Sequence, residues 1–297
     1  MRLASVRQSD GATRLWAADH EGAPYYDVAA AAATIHPEFM EIRDVGSLYR
    51  AGLRAIDVVR EVVSGLRSNR DGQDLSTLKL APPVTNPGSI VCVGRNYLAH
   101  VGESDAPVPE LPLLFSKFPN ALVGHEEGVV LHSLTCELDY EGELAVVIGQ
   151  EARHVARDDA MSYVAGYTVL NDISARDLQR SDLQWIRGKS LDTFCPLGPV
   201  FVTSDEIIDV SALRIETHVN GELRQSAPVS DMIFPIPELV EFITEGITLH
   251  PGDVIATGTP SGTALGMKPP VWLQAGDVVE VTIATIGRLR STIEGPR

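Results

Sequence analysis

Glu141 and Glu143 stand two residues apart where the apolar run Leu144-Ala-Val-Val-Ile148 begins. Such a run reads as a strand, and residues two apart on a strand face the same side, so the two carboxylates converge. Like charges held that close, once out of water, force one group to keep a proton unless a cation neutralises both. Asp172 offers a third oxygen, because it follows the run Tyr167-Thr-Val-Leu170 and an acid at a strand end is placed to point into a cleft. Three carboxylates with no His or Cys partner form a hard, oxygen-only set that suits Mg²⁺ or Mn²⁺, with Ca²⁺ also admissible, better than zinc. The same spacing fits solvated acids at a strand edge and an Asp that caps a turn, so the pattern alone leaves both readings open.

His100 and Glu103 are three residues apart, and one helical turn brings such side chains together. A carboxylate placed there orients the imidazole and raises its basicity, which equips it to take a proton from water. Lys189 lies in Arg187-Gly-Lys-Ser190, which imitates the end of a phosphate-binding loop, but the full pattern needs Gly at the position of Leu183 and the nucleotide reading fails. Thr257-Gly-Thr-Pro-Ser-Gly262 follows a short apolar run, and its glycines allow backbone amides around Thr259 to turn toward an anion such as a substrate carboxylate. An ordinary Gly and Pro turn has the same composition.

The elements that must position these residues are mostly short strands. Arg2 to Arg7 and Thr13 to Ala18 flank Ser9-Asp10-Gly11 as a hairpin. The Ala-rich run Asp27 to Thr34 and the longer segment Val45 to Leu66, with Leu48, Leu53, Ile56, Val59, Val63 and Leu66 mostly three or four apart, predict helices. From Asn69 to Pro87 the chain turns polar and then proline-rich, which disfavours helix and removes ladder donors. A boundary there separates a small N-terminal α+β domain, residues 1–80, from a catalytic domain, residues 88–297. Beyond it, apolar runs at Ser89–Val93, Leu144–Ile148, Gly166–Leu170, Val200–Thr203, Leu213–Val219, Asp253–Ala256 and Asp277–Ile283 predict a β-rich α+β fold.

These residues also carry a family likeness. Asp139-Tyr-Glu-Gly-Glu-Leu-Ala-Val-Val-Ile-Gly149, Gly166-Tyr-Thr-Val-Leu-Asn-Asp-Ile-Ser-Ala-Arg-Asp177, Gly188-Lys-Ser-Leu-Asp-Thr-Phe-Cys-Pro-Leu-Gly-Pro199, Thr257 to Gly262, and Val93-Gly-Arg-Asn-Tyr97 leading to His100 resemble the fumarylacetoacetate hydrolase family. Several ordered motifs from Ile90 onward are far more specific than any short pattern. The resemblance implies a mixed β-sandwich roll, usually assembled as a homodimer, with Glu141, Glu143 and Asp172 at the metal-ligand positions. It implies that Lys189 faces the metal pocket, where an ammonium stabilises a substrate oxyanion. It implies further that His100 and Glu103 form a catalytic dyad on a lid, so the stretch from Leu98 to Pro112 is expected to stand away from the metal until substrate binds. Arg95, Tyr97, Lys117 and Gln179 are further candidates for lining the pocket. Residues 1 to about 80 match only a small, variable N-terminal region, from which no chemistry follows.

Composition narrows the function. A formal charge of −16 argues against general binding of nucleic acid or anionic membranes, whose affinity rests on Lys and Arg. A small anionic substrate then needs a local positive centre such as a metal. Three separated cysteines with no CxxC spacing, no apolar leader at the start and no long apolar run predict a cytoplasmic protein. A metal that chelates an α-oxo acid accepts the charge that develops as an enolate when a bond beside the carbonyl breaks. The first expectation is hydrolysis of a carbon–carbon bond in an acylpyruvate or related 1,3-diketo acid. Oxaloacetate decarboxylation and isomerisation of 2-hydroxyhepta-2,4-diene-1,7-dioate are the alternatives. A non-enzymatic protein holding a structural ion fits less well, since it needs neither Lys189 nor a base.

Overall fold

The computed structural model describes residues 1–35, 37–66, 72–103 and 107–296. Its largest layer is a mixed sheet of 11 strands, and the β-rich α+β class expected from the sequence is what the chain adopts. The middle of that sheet runs Arg2–Arg7, Cys195–Thr203, Val164–Asn171, Gly142–Ile148, Val254–Ala256, Ile90–Gly94 and Leu113–Ser116. Val254–Ala256 and Ile90–Gly94 pair in parallel, whereas their neighbours pair antiparallel. A second sheet of 5 strands includes Arg214–Val219, Val278–Ile283 and Gly287–Glu294.

Sequence pattern accounts for the difference between the layers. Gly142–Ile148, Val164–Asn171 and Cys195–Thr203 are buried at every position, as their largely apolar sequences favour. Full burial of a side chain such as Leu144, Val146 or Ile148 contributes roughly 1.5–3 kcal/mol each. Arg214–Val219 and Val278–Ile283 instead alternate, with one face buried and the other partly exposed. The two sheets meet closely at Gly142, where a Cβ would stand 2.2 Å from the Thr217 hydroxyl oxygen. Glycine is what lets the strand that carries Glu143 lie under the second sheet.

The N-terminal hairpin forms as expected, Arg2–Arg7 with Thr13–Ala18, and it joins the large sheet directly, with Arg2 opposite Val202 and Leu3 opposite Phe201. The helical segment differs from expectation. Rather than one helix from Val45 to Leu66, the chain forms Val45–Arg50 and Leu53–Leu66, broken at Gly52, whose φ of +89° is left-handed. The break leaves Leu53 outside the stripe it was expected to join, 77% exposed. The first of these helices begins at a capping box in which Asp44 accepts from the Ser47 amide, a cap that contributes about 1 kcal/mol. Of the segment expected to mark a boundary, residues 69–71 lie outside the described residues. Among the described residues no helix is long and apolar enough to cross a membrane.

Candidate metal centre and its pocket

Glu141 immediately precedes the strand Gly142–Ile148, and Asp172 immediately follows the neighbouring strand Val164–Asn171. Their register puts Gly142 opposite Asn171 and Glu143 opposite Leu170. The Asp172 amide donates to the Glu141 carbonyl at 2.8 Å, and the Glu141 amide donates to the Asn171 side chain at 3.0 Å. Backbone pairing therefore fixes both acids before any ligand is considered. One oxygen of each of Glu141, Glu143 and Asp172 lies within 4.8 Å of the others, and all three residues are buried, which excludes the solvated-acid reading left open by the spacing.

Cations reach this cluster from several distant segments. Lys189, the last residue of the short helix Ile186–Lys189, donates to Glu141 Oε2 at 2.5 Å and to Asp172 Oδ2 at 2.7 Å. Its helix sits close because Gly188 has no side chain; a Cβ there would stand 2.8 Å from the Gln179 amide nitrogen. Lys117 donates to the other Asp172 oxygen at 2.5 Å and to the Ile173 carbonyl at 3.0 Å. Arg176 bridges Asp139, at 2.8 Å, and Glu141. Asp139 in turn accepts from the amides of Tyr140, Ala264 and Leu265.

This arrangement divides the acids. Burial works against ionisation of Glu141, but Arg176, Lys189 and His100 together hold its carboxyl well below the usual range. Glu143 receives the Gly258 amide at 2.9 Å and has no cationic side chain in contact among the described residues. Burial, reinforced by Asp172 and Glu141, drives its carboxyl well above the usual range. The donor set fits a hard divalent cation on that ground: three buried oxygen donors converge, and the positive charge supplied by the chain leaves Glu143 uncompensated.

His100 lies in the four-residue helix Leu98–Val101 and its Nδ1 is 2.8 Å from Glu103 Oε2, so one helical turn does pair them. A carboxylate partner assigns the proton to Nδ1 and leaves Nε2 free to accept, and Nε2 is 3.9 Å from Glu141 Oε1. Glu103 also accepts from the Gly262 amide at 2.5 Å and from the Thr263 hydroxyl at 3.1 Å. Over Leu98 to Glu103 the stretch expected to act as a lid lies against the cavity, with Glu103 held by those donors. Of the remainder of the expected lid, residues 104–106 lie outside the described residues.

A cavity of about 600 Å³ opens over the cluster. His100, Glu103, Lys189, Arg95, Gln179, Thr259 and the three acids all line it. Gln179 accepts from Arg176 at 3.0 Å. Two expected lining residues are elsewhere. Lys117 sits behind Asp172, fully enclosed, and Tyr97 is buried outside the lining with no partner for its hydroxyl among the described residues. The glycine-rich loop also departs from expectation: its Gly258 and Gly262 amides bind the protein's own Glu143 and Glu103 carboxylates. The Thr259 hydroxyl is engaged as well, between the Gly142 carbonyl and Gln225.

Sequence reasoning missed Arg176, Asp139, Asn96 and the aromatic wall formed by Phe115 and Trp185. Asn96 ties the base of the His100 helix to the core by donating to the Phe234 and Thr257 carbonyls at 3.0 and 2.7 Å. A signal for Arg176 was available, since the acids between Glu137 and Glu143 demand internal cations if they are buried.

With this geometry in hand, a family model described as fumarylacetoacetate (FAA) hydrolase C-terminal matches residues 89–294. Oxaloacetate tautomerase YisK of Bacillus subtilis (strain 168) is 50% identical over 223 residues, 74% of this chain and 74% of that protein. The mitochondrial oxaloacetate tautomerase fahd2 of Xenopus laevis is 37% identical over 296 residues, 99% of this chain and 90% of its own length. A solved structure, fumarylacetoacetate hydrolase (EaFAH) from psychrophilic Exiguobacterium antarcticum, aligns with a TM-score of 0.80 at 36% identity, covering 99% of each chain. The last two likenesses take in the N-terminal residues, beyond the stretch that the sequence motifs covered.

Proposed function

The chain belongs to the fumarylacetoacetate hydrolase family, and on that premise we propose that it is an oxaloacetate tautomerase, interconverting the enol and keto forms of a 2-oxo acid. The observation that carries this reading is the placement of a single oriented base, with His100 Nε2 directed into a cavity floored by three buried acids. Glu141, Glu143 and Asp172 are the residues that would hold Mg²⁺ or Mn²⁺, and when bound the cation supplies a Lewis acid that polarises the oxo group and acidifies the adjacent C–H. In the ketonisation direction the C2 hydroxyl loses its proton, a C2–O double bond forms, and the C2–C3 electron pair takes a proton at C3. His100 carries the proton in this scheme, and Glu103 keeps the imidazole in the tautomer that leaves Nε2 available. The Lys189 ammonium helps keep Glu141 ionised, donates to Asp172, and sets a positive potential where the oxygen charge develops.

Tautomerisation moves a proton between oxygen and carbon and needs neither water as a reactant nor cleavage of a carbon–carbon bond, which separates it from the hydrolysis expected first from sequence. The names of the two relatives favour it over hydrolysis and over oxaloacetate decarboxylation. Hydrolysis stays as a second reading because the same dyad is built to activate water. The test is to release enol-rich oxaloacetate into Mg²⁺ buffer with the protein, follow loss of enol absorbance, and assay pyruvate in the same sample. Acceleration above the buffer rate without matching pyruvate supports tautomerase action. No acceleration, together with cleavage of an acylpyruvate, replaces that reading with hydrolysis.

A further inference from the structure

Four basic side chains other than His100 line the cavity, and their pairing is unequal. Arg176 is held by Asp139 and Glu141, Lys189 by Glu141 and Asp172, and Arg180 by Glu137. Arg95 makes no ion pair among the described residues. A guanidinium on the wall of a partly enclosed cavity has lost water without gaining a carboxylate, and that state favours an incoming anion.

Arg95 is also held in place. The strand Ile90–Gly94 ends just before it, and Arg95 takes a left-handed backbone, φ 57°, which a non-glycine residue adopts only where its surroundings enforce it. Gly94 leaves room for Trp185, whose ring would be 2.6 Å from a Cβ at that position. The guanidinium carbon lies 5.7 Å from the centre of the Trp185 ring, and Trp185 meets Phe115 edge to face at 5.3 Å. The Lys189 ammonium lies over the Phe115 ring, 4.9 Å from its centre. The cavity wall thus runs from a cation at the acid cluster, across two aromatic rings, to a second cation with no acid partner among the described residues.

We infer that Arg95 is the specificity-determining residue for the carboxylate of the substrate remote from its oxo group, so that the site selects 2-oxo diacids over 2-oxo monoacids. The inference rests on the preceding reading only in taking a 2-oxo acid as the substrate. A planar guanidinium backed by an aromatic face receives a carboxylate through two parallel hydrogen bonds, which a lysine reproduces poorly.

Binding, not turnover, tests it. Calorimetry on the Mg²⁺-saturated protein compares 2-oxoglutarate with 2-oxopentanoate, in which a methyl group stands where the distal carboxylate would be. The parent is expected to prefer the diacid by at least about tenfold, the scale of charge-assisted hydrogen bonds. In Arg95→Met the preference falls to about one, and in Arg95→Lys part of it survives. A parent without preference, or a preference unchanged in Arg95→Met, overturns the inference. If Arg95→Met binds neither acid, Arg95→Lys decides: a ratio below the parent's supports the role and one equal to it removes it. Diacid selectivity in a protein that fails to accelerate ketonisation keeps Arg95 as the selector and removes the tautomerase reading alone.

Discussion

Two cavities of nearly equal size, about 600 and about 610 Å³, differ in what surrounds them. The first is floored by buried acids that face buried cations. The second, between the N-terminal hairpin and the second sheet, is lined by residues such as Tyr25, Leu78, His125, Pro199 and Ile286. Its charges are mostly solvated: Glu21, paired with Arg2 at 3.1 Å, and Glu126 have side chains 68% and 64% exposed. Arg2 is itself buried but keeps Glu206 at 3.7 Å, so the exposed Glu21 partner contributes only about 0–1 kcal/mol. Volume therefore does not distinguish the cavities; buried and unequally compensated charge does.

The comparison breaks most visibly at Asp172, the one acid paired with Lys117 among the described residues, which also shares Lys189 with Glu141. Asp172→Asn leaves buried ammonium groups short of a counter-charge and is expected to cost about 3–5 kcal/mol in urea unfolding of the metal-free protein, with activity lost. Glu21→Gln, at the second cavity, should change stability by less than about 1 kcal/mol. Equal effects of the two substitutions would erase the distinction.

His100→Ala separates chemistry from the acid cluster. It should lower kcat by about 10²- to 10⁴-fold, while Mn²⁺ affinity measured by calorimetry stays near that of the parent. A parallel loss of metal affinity would assign His100 to the cluster itself.

A smaller and more specific effect is expected at Gly266, where a Cβ would stand 2.3 Å from Glu103 Oε1. Gly266→Ala must push the carboxylate and with it the His100 ring, lowering kcat by about 10- to 100-fold with little change in KM. In a Glu103→Gln background the same substitution should add much less, because the group it displaces is already altered. Full additivity would show that Gly266 acts elsewhere.

The smallest effect belongs to the second cavity. His125 Nδ1 accepts the Arg290 amide at 3.1 Å, and burial lowers its pKa below the ordinary histidine value. A depressed histidine contributes stability that is complete above its unfolded-state pKa and is lost as pH falls through the folded value. Between pH 7 and pH 5 the parent should lose up to about 1 kcal/mol more than His125→Gln, read from urea midpoints. A flat profile in both proteins would sink this assignment.

Much of the fold was legible because periodicity and burial share a cause. The run Leu144 to Ile148 had to be a strand buried on both faces, and the structure buries all of it. Gly52 shows where that reasoning stops: an apolar stripe continued through it, yet a left-handed glycine ended one helix and turned Leu53 outward. The loop Thr257 to Gly262 offered amides for an anion, and the anions proved to be Glu143 and Glu103.

What the sequence determined by itself was local: which side of a strand Glu141 and Glu143 share, which turn pairs His100 with Glu103, and which apolar runs must be buried. These depend on spacings of two or three residues, which backbone geometry converts directly into direction. Only the tertiary structure decided which cation meets which acid, because Lys117 reaches Asp172 across 55 residues and Arg176 reaches Glu141 across 35. Strand register and helix docking set those encounters, and no local pattern encodes them. Sheet and helix packing thus enclosed Lys117 behind Asp172, kept it from the cavity, and left Arg95 on the wall without an acid among the described residues.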